Sequence, residues 1–397
     1  MVEKKSCKIG IVFNSPTELR KSSIDYGKYY KGFKSIGLNC ILFARKESVI
    51  GFDYPIETVE NETDFYRDDY WKAFNLDYCL IPTWMGMNRI LASLKKTNCR
   101  IINMIDSDGY LGTRVFPLHS LNNMLSYQND GHSKLKCFLW WIRKYLFYHR
   151  VYAESVIDNF KLSDKIIVNS PQARRNIVEF LKYYNSSDLN SKIITSKYPV
   201  HEIFFNSATV PKSNQILAIG RWETGQKNGA LLKKVIKRFL SLNFEYRFVI
   251  VGSCKDNFFA DLLRDFPNRV TYIPSASREE IYNLICASKI LLSTSIYESG
   301  PIVADEALLS GTSLVAPLDI PLFNYYLSDN HFGTGFKARK VKGVVRALSQ
   351  EIHRWEIGER NNLKGLSNLK SLNKLENICQ KIVDGLDLLP ETLSEIN

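Results

Sequence analysis

The chain has 397 residues, of which 45% are hydrophobic and 24% charged, a composition typical of a globular protein with more than one domain. It contains no run of eighteen apolar residues, and its charged start MVEKKSCKIGIVF lacks the features of a signal peptide, so neither a spanning helix nor a leader is expected. The formal net charge of +12 predicts an anionic partner without choosing among nucleic acid, a membrane surface and phosphorylated substrates.

The first half of the chain alternates short apolar runs with helical stretches. Strands are predicted at Lys8–Phe13, Cys40–Ala44, Tyr78–Ile81, Arg100–Ile105 and Lys165–Asn169, and a helix at Tyr26–Ile36. Because strands that alternate with helices commonly pair in parallel, the pattern predicts a parallel sheet covered by helices.

The same pattern restarts near residue 215. Strands are predicted at Gln215–Gly220, Arg247–Gly252, Val270–Ile273, Ile290–Leu292 and Ser313–Ala316, with helices at Asn228–Leu240, Asn257–Asp265 and Glu279–Ala287 and a helical region after Ala338. The predicted fold class is therefore α/β, with two Rossmann-like, doubly wound domains that face a central cleft. We expect a first domain at 1–205, a second at 206–385, and a tail at 386–397 that crosses back to the first.

The eight cysteines show no pattern of a metal site or of paired disulfides. There is no CxxC pair and no histidine at zinc spacing, and most of the cysteines lie in apolar runs where a buried thiol is expected. Reduced cysteines are typical of the cytoplasm, so we expect a cytoplasmic protein, and the missing ligand spacing predicts no metal site built on these cysteines.

Two cations follow the strand at Gln215–Gly220 in the sequence GRWETGQK. Arg221 can bind a phosphate through two parallel hydrogen bonds, and Lys227 can supply a compact positive charge. Gly220 and Gly225 are spaced as in the start of a phosphate-binding P-loop, but that motif requires Lys and then Ser or Thr directly after the second glycine. Gln226 and Lys227 follow instead, which argues against a P-loop nucleoside triphosphatase; the alternative for Arg221 and Lys227 is a pair of solvated loop charges.

Two glutamates, Glu298 and Glu306, flank a Ser-Gly-Pro turn between an apolar strand and an Ala/Leu-rich helix. The first N–H groups of a helix have no partner within it, so a helix that begins after such a turn can bind an anion. Gly300 lets a ligand approach the backbone, Pro301 suits the first helical turn, and Glu306 is expected about a turn and a half inside the helix.

Together these features resemble the donor site of family 4 glycosyltransferases of the GT-B fold. The resemblance extends over Gln215–Pro317 and includes the Gly-Arg strand end, the lysine six residues later, and the two glutamates separated by seven residues. It implies transfer of a hexose-type sugar from a nucleotide-diphosphate sugar to a hydroxyl of a glycan or lipid-linked acceptor. Retention of configuration, independence of metal, no further cofactor and a role in polysaccharide biosynthesis are also implied.

The resemblance assigns a role to each matched position. Arg221 and Lys227 would stabilise the leaving diphosphate, Glu298 would contact hydroxyls of the transferred sugar, and Glu306 would bind the ribose. The backbone around the helix start would hold the distal phosphate, and main chain on a neighbouring strand would contact the base. These two backbone sets are Gly300, Pro301 (which has no N–H), Ile302 and Val303 for the phosphate, and Tyr272, Ile273 and Pro274 for the base.

The first half departs from the family pattern. No glycine-rich loop follows the first strand, where Asn14-Ser15-Pro16-Thr17 stands, and the usual Asn-Gly-Val-Asp before the linker is replaced by Tyr198-Pro199-Val200-His201. Asp106 is the best catalytic candidate of this half, as an acceptor contact in the cleft. His119 lies in the same region, and a histidine near the donor sugar occurs in some relatives, but Asp106 is preferred.

Asp106 and Asp108 also form the DxD triplet of metal-dependent GT-A glycosyltransferases, because carboxylates at this spacing can share a divalent cation. A GT-A enzyme would leave the second set of strands without a role, and simple turn chemistry before Gly109 is a third possibility. A nucleotide-sugar 2-epimerase and a non-catalytic protein that binds nucleotide sugars or membranes are also compatible with the sequence.

The segment Lys134–Arg150 (KLKCFLWWIRKYLFYHR) has no acidic residue and is predicted to be one helix. At 100° per residue, one face carries basic and aromatic side chains, and the opposite arc is apolar and expected to pack on the domain. Such a face suits the headgroup layer of an anionic membrane, whereas an ordinary core helix with a solvated basic face is the alternative; nucleic acid is not expected as a partner. The basic face comprises Lys136, Trp140, Arg143, Lys144, Phe147 and Arg150, and the apolar arc Leu135, Phe138, Ile142, Tyr145 and Leu146.

Overall fold

The structure, a computed structural model, describes residues 7–12, 26–45, 56–82, 87–105, 107–126, 131–205, 211–242, 245–255, 257–328, 330–361, 363 and 365–389. Contacts divide these residues into two compact units. The first unit is formed by the described parts of 1–117, 143–200 and 371–391, and the second by those of 118–142 and 201–370.

The strands of the described residues number thirteen. They are β1 Lys8–Val12, β2 Asn39–Arg45, β3 Ile56–Val59, β4 Tyr78–Pro82, β5 Arg100–Met104, β6 Lys165–Val168 and β7 Ile193–Thr195 in the first unit, and β8 Ser213–Ile219, β9 Arg247–Val251, β10 Val270–Ile273, β11 Ser288–Leu292, β12 Ser313–Pro317 and β13 Gly333–Phe336 in the second. The predicted strands are all present, and their described ends agree with the prediction to within two residues; Phe13, the predicted end of the first strand, lies outside the described residues. β3, β7 and β13 were not predicted.

The α-helices of the described residues follow in chain order. They are α1 Tyr26–Ser35, α2 Asp68–Lys72, α3 Asn88–Lys95, α4 Pro117–Ser126, α5 Gly131–Arg143, α6 His149–Leu162, α7 Pro171–Tyr183, α8 Gly229–Leu240, α9 Ala260–Asp265, α10 Arg278–Ala287, α11 Ile302–Leu309, α12 Pro321–Leu327, α13 Val341–Glu356, α14 Leu366–Asn373 and α15 Leu375–Asp384. None of them is both long and apolar enough to cross a bilayer.

Each unit is built on one parallel sheet with the strand order of a doubly wound fold. The first sheet has the order β3-β2-β1-β4-β5-β6-β7 and the second the order β10-β9-β8-β11-β12-β13, and all pairs are parallel. In both sheets the order reverses beside the first strand of the unit, between β1 and β4 and between β8 and β11. Ligands of such sheets bind at the carboxyl ends of the strands at this reversal. The predicted α/β class is confirmed.

The last helix, α15, completes the core of the first unit. Ile378, Cys379 and Ile382 belong to the same buried cluster as Ile9 and Leu42 of β1 and β2. At Gly32 of α1 a Cβ atom would lie 2.5 Å from the Sγ of Cys379, so only glycine permits this close approach of the two helices. The sequence-based division placed residues up to 385 in the second domain; the structure groups 371–389 with the first unit because this helix buries its apolar face there.

Helix α7 begins with a buried cap that gives a test of the first unit. Ser170 is fully buried, and its hydroxyl accepts a hydrogen bond from the N–H of Ala173 at 3.1 Å, while Pro171 occupies the first turn. We expect Ser170→Ala to lower the free energy of unfolding by about 1 kcal/mol, because one N–H of the helix then loses its acceptor. Urea denaturation followed by circular dichroism measures this loss. The exposed Ser187→Ala is the control, and an equal effect of both substitutions would contradict the capping role.

The segment Lys134–Arg150 is not one regular helix. Helix α5 ends at Arg143 and a π-helical turn follows at Lys144–Tyr148 before α6 begins. The wider turn shifts the angular positions of all later residues, so the predicted basic face does not continue through it. The guanidinium of Arg114 donates hydrogen bonds to the carbonyl oxygens of Tyr145 (2.9 Å) and Leu146 (3.3 Å) within this turn.

The predicted division of that segment into a solvated basic face and a packed apolar arc is wrong in two respects. Leu135, Phe138 and Leu146 of the apolar arc are exposed rather than packed. Lys144 of the basic face is half-buried, with its Nζ 4.1 Å from the centre of the Tyr152 ring, and burial lowers the pKa of this lysine. Hydrophobic side chains therefore dominate the exposed surface of the segment.

Candidate active site

The reversal point of the second sheet brings together two loops that carry charged residues. β8 pairs with β11 in this sheet, and the loop after β8 contains Lys227 whereas the loop after β11 contains Glu298. Residues 221, 227, 298 and 306 were predicted as a donor site because they follow the carboxyl ends of strands. The structure places the first three in loops at this edge.

Glycines allow the loop after β8 to fold tightly. Gly252, which follows β9, has a φ of +113°, and a Cβ atom there would lie 2.0 Å from the carbonyl oxygen of Gly220. At Gly220 a Cβ atom would lie 3.0 Å from the Cγ of Lys227, so the stem of the lysine passes directly over this glycine. This close approach of the Gly220 backbone and the lysine stem fixes the position of the ammonium group of Lys227.

Lys227 and Glu298 form an ion pair at the centre of the site. Only 16% of the lysine side chain and 9% of the glutamate side chain are exposed, so water screens this pair weakly. The hydroxyl of Ser295 donates a second hydrogen bond, of 2.6 Å, to the same oxygen of Glu298, Oε1. Within the described residues, the other carboxylate oxygen, Oε2, and two of the three N–H groups of Lys227 have no hydrogen-bond partner.

Three hydrogen bonds to backbone carbonyl oxygens, two of them donated by side chains, join the two loops. The N–H of Ile296 donates to the carbonyl oxygen of Gln226 at 2.8 Å, and the amide of Gln226 donates to the carbonyl oxygen of Tyr297 at 3.0 Å. The hydroxyl of Thr294 donates to the carbonyl oxygen of Lys227 at 2.9 Å. The residues on either side of the ion pair are thereby fixed, so the pair is preorganised for a ligand.

Arg339 supports the loop after β11 from the segment before α13. Its Nε donates to the carbonyl oxygen of Ser295 at 2.8 Å, another nitrogen donates to that of Ile296 at 3.0 Å, and the guanidinium also forms an ion pair with Asp319. Arg339 was not predicted because nothing in the local sequence relates it to Glu298. Ser295 was not predicted either, although its place three residues before Glu298 in a Ser-Thr-Ser run was a usable signal.

Arg221 is close to Lys227 in the sequence but does not contact the ion pair. The side chain is exposed, and its guanidinium has no hydrogen bond or ion pair with any residue that the structure describes. The backbone is held, since the carbonyl oxygen of Arg221 accepts hydrogen bonds from the N–H (3.2 Å) and the hydroxyl (2.8 Å) of Thr224. The arginine is thus anchored at its base with all its side-chain donors available.

The turn before α11 differs in detail from the prediction. Pro301 precedes the helix instead of starting it, and no side chain caps the helix. The N–H of Ile302, a predicted phosphate donor, donates to the carbonyl oxygen of Gly300 at 2.8 Å. The N–H groups of Gly300 and Val303 carry no backbone hydrogen bond with the described part of the chain, and they are the better candidates for an anion.

Glu306 is the fifth residue of α11, as predicted, and is half-buried. The preceding residue, Asp305, is fully buried and accepts a hydrogen bond from the hydroxyl of Tyr326. Burial and the nearby carboxylate raise the pKa of Tyr326 well above its usual value. Asp305 thus ties α11 to α12, so Glu306 rather than Asp305 is the candidate for contact with a ligand.

The predicted base-binding strand, β10, forms one edge of the sheet. The carbonyl oxygen of Ile273 accepts from the N–H of Gly252 at 2.9 Å, and the hydroxyl of Tyr272 donates to the carbonyl oxygen of Gly252 at 3.0 Å. Burial is the largest cause that raises the pKa of Tyr272 to about 12. The hydrogen bond of 3.0 Å between the thiol of Cys254 and the hydroxyl oxygen of Tyr272 is the next cause. Tyr272 and Ile273 therefore stabilise the turn at Gly252 after β9.

The candidates from the first half have different outcomes. Asp106 lies outside the described residues. Asp108 is buried, and its Oδ1 accepts a hydrogen bond from the N–H of Tyr110 at 3.3 Å. Gly109, which lies between these two residues, has a φ of +79°. This geometry is that of a turn stabilised by an aspartate side chain. His119 belongs to the second unit, and the centre of its ring lies 6.2 Å from that of Tyr297, next to Glu298. His119 therefore lies closer to the site than was expected from the sequence.

No group of three or more His, Cys, Asp or Glu side chains that could hold a metal ion occurs within the described residues. The charges that could hold a ligand at this edge are instead the cations Arg221 and Lys227 and the carboxylates Glu298 and Glu306. Cations of this kind suit phosphate groups, and carboxylates suit the hydroxyls of a sugar or ribose.

Comparison with known proteins identifies the class of this fold. Residues 200–364 match the family described as "Glycosyl transferases group 1", which confirms the resemblance drawn from the sequence. The fold is GT-B. It is similar to the catalytic domain of starch synthase IV from Arabidopsis thaliana bound to ADP and acarbose, with a TM-score of 0.62 and 13% identity over 96% of this chain and 99% of the other. A search of curated proteins found no match.

Two further GT-B structures resemble the chain over nearly its full length. Sucrose-phosphate synthase from Thermosynechococcus elongatus has a TM-score of 0.63 and 14% identity over 95% of this chain and 98% of the other. A structure titled trehalose-6-phosphate from E. coli, bound with UDP-2-fluoro glucose, has a TM-score of 0.60 and 10% identity over 95% and 98%. At such identities the likeness concerns the fold, and the second sheet rules out the single-domain GT-A alternative.

Proposed function

We propose that the protein transfers a hexose-type sugar from a nucleotide-diphosphate sugar to a hydroxyl of a glycan or lipid-linked acceptor, with retention of configuration. The observation that carries this proposal is the nearly buried pair of Lys227 and Glu298 at the reversal point of the second sheet. An ammonium with two available N–H groups suits a diphosphate, and a carboxylate with an available oxygen suits a sugar hydroxyl.

Stabilisation of the leaving diphosphate is the main task of such a site. Negative charge develops on the diphosphate as its bond to the sugar breaks, and fixed cations lower the energy of that state without reorganisation. Lys227 is fixed by Glu298 and by the stem contact with Gly220. Arg221 adds donors from an anchored backbone. These two side chains can therefore serve where other transferases use a metal ion, and we expect activity to persist in EDTA.

The two glutamates would divide the rest of the donor between them. Glu298 would accept hydrogen bonds from sugar hydroxyls through Oε2, and Glu306 would accept them from the ribose. The N–H groups of Gly300 and Val303 would bind the distal phosphate. The starch synthase neighbour binds ADP and the trehalose-related neighbour a UDP sugar, so the neighbours do not select the base.

Thermal shifts with UDP, GDP, ADP and dTDP are the first test, because a tightly bound nucleotide raises the melting temperature by mass action. The nucleotide with the largest shift then selects the labelled sugar donors for a transfer assay with and without EDTA. Absence of a shift with all four nucleotides would contradict the proposal.

We also propose that the segment 134–150 binds an anionic membrane surface, which would place a lipid-linked acceptor near the enzyme. Exposed large side chains line the segment, among them Leu135 (57% exposed), Trp140 (56%) and Phe147 (72%). The segment also carries basic residues and no acidic one. Aromatic and aliphatic side chains can enter the headgroup layer while the basic residues attract anionic lipids.

Sedimentation with vesicles tests the membrane proposal. The protein should bind vesicles of phosphatidylcholine and phosphatidylglycerol and should bind pure phosphatidylcholine weakly. The double substitution Trp140→Ser and Phe147→Ser should reduce binding at least about tenfold, because burial of one such side chain contributes about 1.5–3 kcal/mol. Ile357→Ser is the control, since Ile357 is similarly exposed outside the segment. Equal binding to both kinds of vesicle would remove the proposal.

A further inference from the structure

A cavity lies at the opposite edge of the second sheet from the proposed donor site. Its volume is about 650 Å³, within the usual size range of small-molecule sites. Lys212, Lys289 and Gly311 line it from the amino ends of β8, β11 and β12, and residues at and after the end of α13 close the other side. Since β11 has five residues, the two edges are separated by about 16 Å.

Two lysines line this cavity without any acidic partner. The ammonium of Lys212 donates to the hydroxyl of Thr312 (2.6 Å) and to the carbonyl oxygens of Ser310 (2.9 Å) and Ile285 (3.3 Å). The ammonium of Lys289 donates to the amide oxygen of Asn214 at 2.7 Å. Among the described residues neither lysine forms an ion pair, so two positive charges at one cavity are compensated only by neutral oxygens.

The charges of the remaining wall are paired with one another rather than with the lysines. Arg360 is buried and binds Glu351 through two hydrogen bonds of 2.6 and 2.9 Å, and the carboxylate of Glu359 lies 3.9 Å from the same guanidinium and 4.0 Å from that of Arg354. Trp355 is held by a hydrogen bond of 2.9 Å from its ring N–H to the hydroxyl of Ser313. The Nζ of Lys289 lies 5.8 Å from the centre of the Trp355 ring. The cavity is therefore a preformed, positively charged site.

We propose that this cavity binds a phosphate-bearing small molecule at a site distinct from the pair of Lys227 and Glu298. A phosphate group supplies the negative charge that the two lysines lack, and the volume accommodates a sugar phosphate as well as a free phosphate ion. The amide of Asn361 and the apolar side chains of Leu363 and Leu366, which also line the cavity, suit the rest of such a molecule. Nothing in the proposed sugar transfer uses these residues.

Burial lowers the pKa of Lys212 to about 8, and this supplies an independent readout. At pH 8 a part of the protein molecules carries this lysine uncharged. A bound anion favours the charged form and raises the pKa, so binding at pH 8 takes up a fraction of a proton. Titration calorimetry in two buffers with different ionisation enthalpies measures that uptake.

Calorimetry with inorganic phosphate and with glucose 1-phosphate, in the presence of saturating UDP or whichever nucleotide binds the donor site, tests the proposal. Wild-type protein and Lys227→Met should bind at least one of the two probes with proton uptake at pH 8, and Lys289→Met should bind at least about tenfold more weakly. Tighter binding of glucose 1-phosphate indicates a sugar phosphate, and equal binding indicates phosphate itself. Neutral glucose is the control ligand.

Two outcomes would overturn the inference. One is that neither probe binds to the nucleotide-saturated wild type. The other is that binding is lost in Lys227→Met and kept in Lys289→Met, which would place the phosphate at the donor site. Because the comparison is made with the donor site filled, failure of this inference leaves the proposed sugar transfer untouched. The melting temperature of Lys289→Met, measured without ligand, verifies that the variant is folded.

Discussion

Replacement of Lys227 by methionine should lower kcat/KM for sugar transfer about 100- to 1,000-fold. Methionine keeps the apolar stem that passes over Gly220 and removes only the charge. The loss is typical for one preorganised electrostatic donor, which contributes about 3–4 kcal/mol to the stabilisation of a transition state. Binding of the nucleoside diphosphate should weaken as well, because in the proposed role the ammonium would contact the diphosphate both before and after transfer. Steady-state kinetics and calorimetry measure the two effects.

The same substitution leaves Glu298 nearly buried with Ser295 as its remaining donor, so a purely structural loss must be separated from a catalytic one. The double variant Lys227→Met/Glu298→Gln removes both charges and should recover most of the lost melting temperature without recovering transfer. Lys234→Met, at an exposed position of α8, is the matched control. Recovery of transfer in the double variant would mean that the pair serves the fold alone.

Glu298→Gln should separate binding from transfer. The amide has nearly the same shape as the carboxylate but no charge, so Lys227 loses its internal counter-charge and is left to attract the diphosphate more strongly. We expect affinity for the nucleoside diphosphate to be retained or increased, while kcat for transfer falls about 100-fold because a charged acceptor for the sugar hydroxyls is lost.

Glu298→Gln is expected to retain or increase the affinity for the nucleotide, and Lys227→Met to decrease it, so the two variants can be distinguished by binding. Calorimetry of Glu298→Gln and Lys227→Met with the same nucleotide gives both affinities, and Glu279→Gln on the exposed side of α10 controls for the loss of a carboxylate. Weaker nucleotide binding in Glu298→Gln, by as much as in Lys227→Met, would show that the glutamate does not have the role assigned to it.

Most of the sheet was predictable because buried parallel strands are continuous apolar runs. The strands β9 and β10 begin at the predicted residues, and both are flanked by polar segments. β13, with the sequence GTGF, offers no such run. Its Gly333 has a φ of +153°, and a Cβ atom there would lie 2.0 Å from the carbonyl oxygen of Leu314, so only the partner strand defines it as a strand.

In the candidate site, too, residues with a local sequence signal were predicted and residues placed only by distant contacts were not. Lys227 and Glu298 were found because charged residues directly after strands are visible in the sequence, and the sheet order then brings their loops together. Arg339 acts on the backbone of a segment more than forty residues earlier, a contact that no local pattern encodes. The π-helical turn at Lys144–Tyr148 is similar, since its carbonyl oxygens are bound by the distant Arg114.

The packing of α15 against α1 bears on how the chain is made by the ribosome. Ile378, Cys379 and Ile382 complete the buried cluster of the first unit, with Cys379 packed against Gly32, and these residues are synthesised after the whole of the second sheet. Nascent amino-terminal segments usually fold as they emerge. We therefore expect part of the apolar interior of the first unit to stay uncovered until residues 375–384 have been synthesised, so that the second unit can reach its native state first.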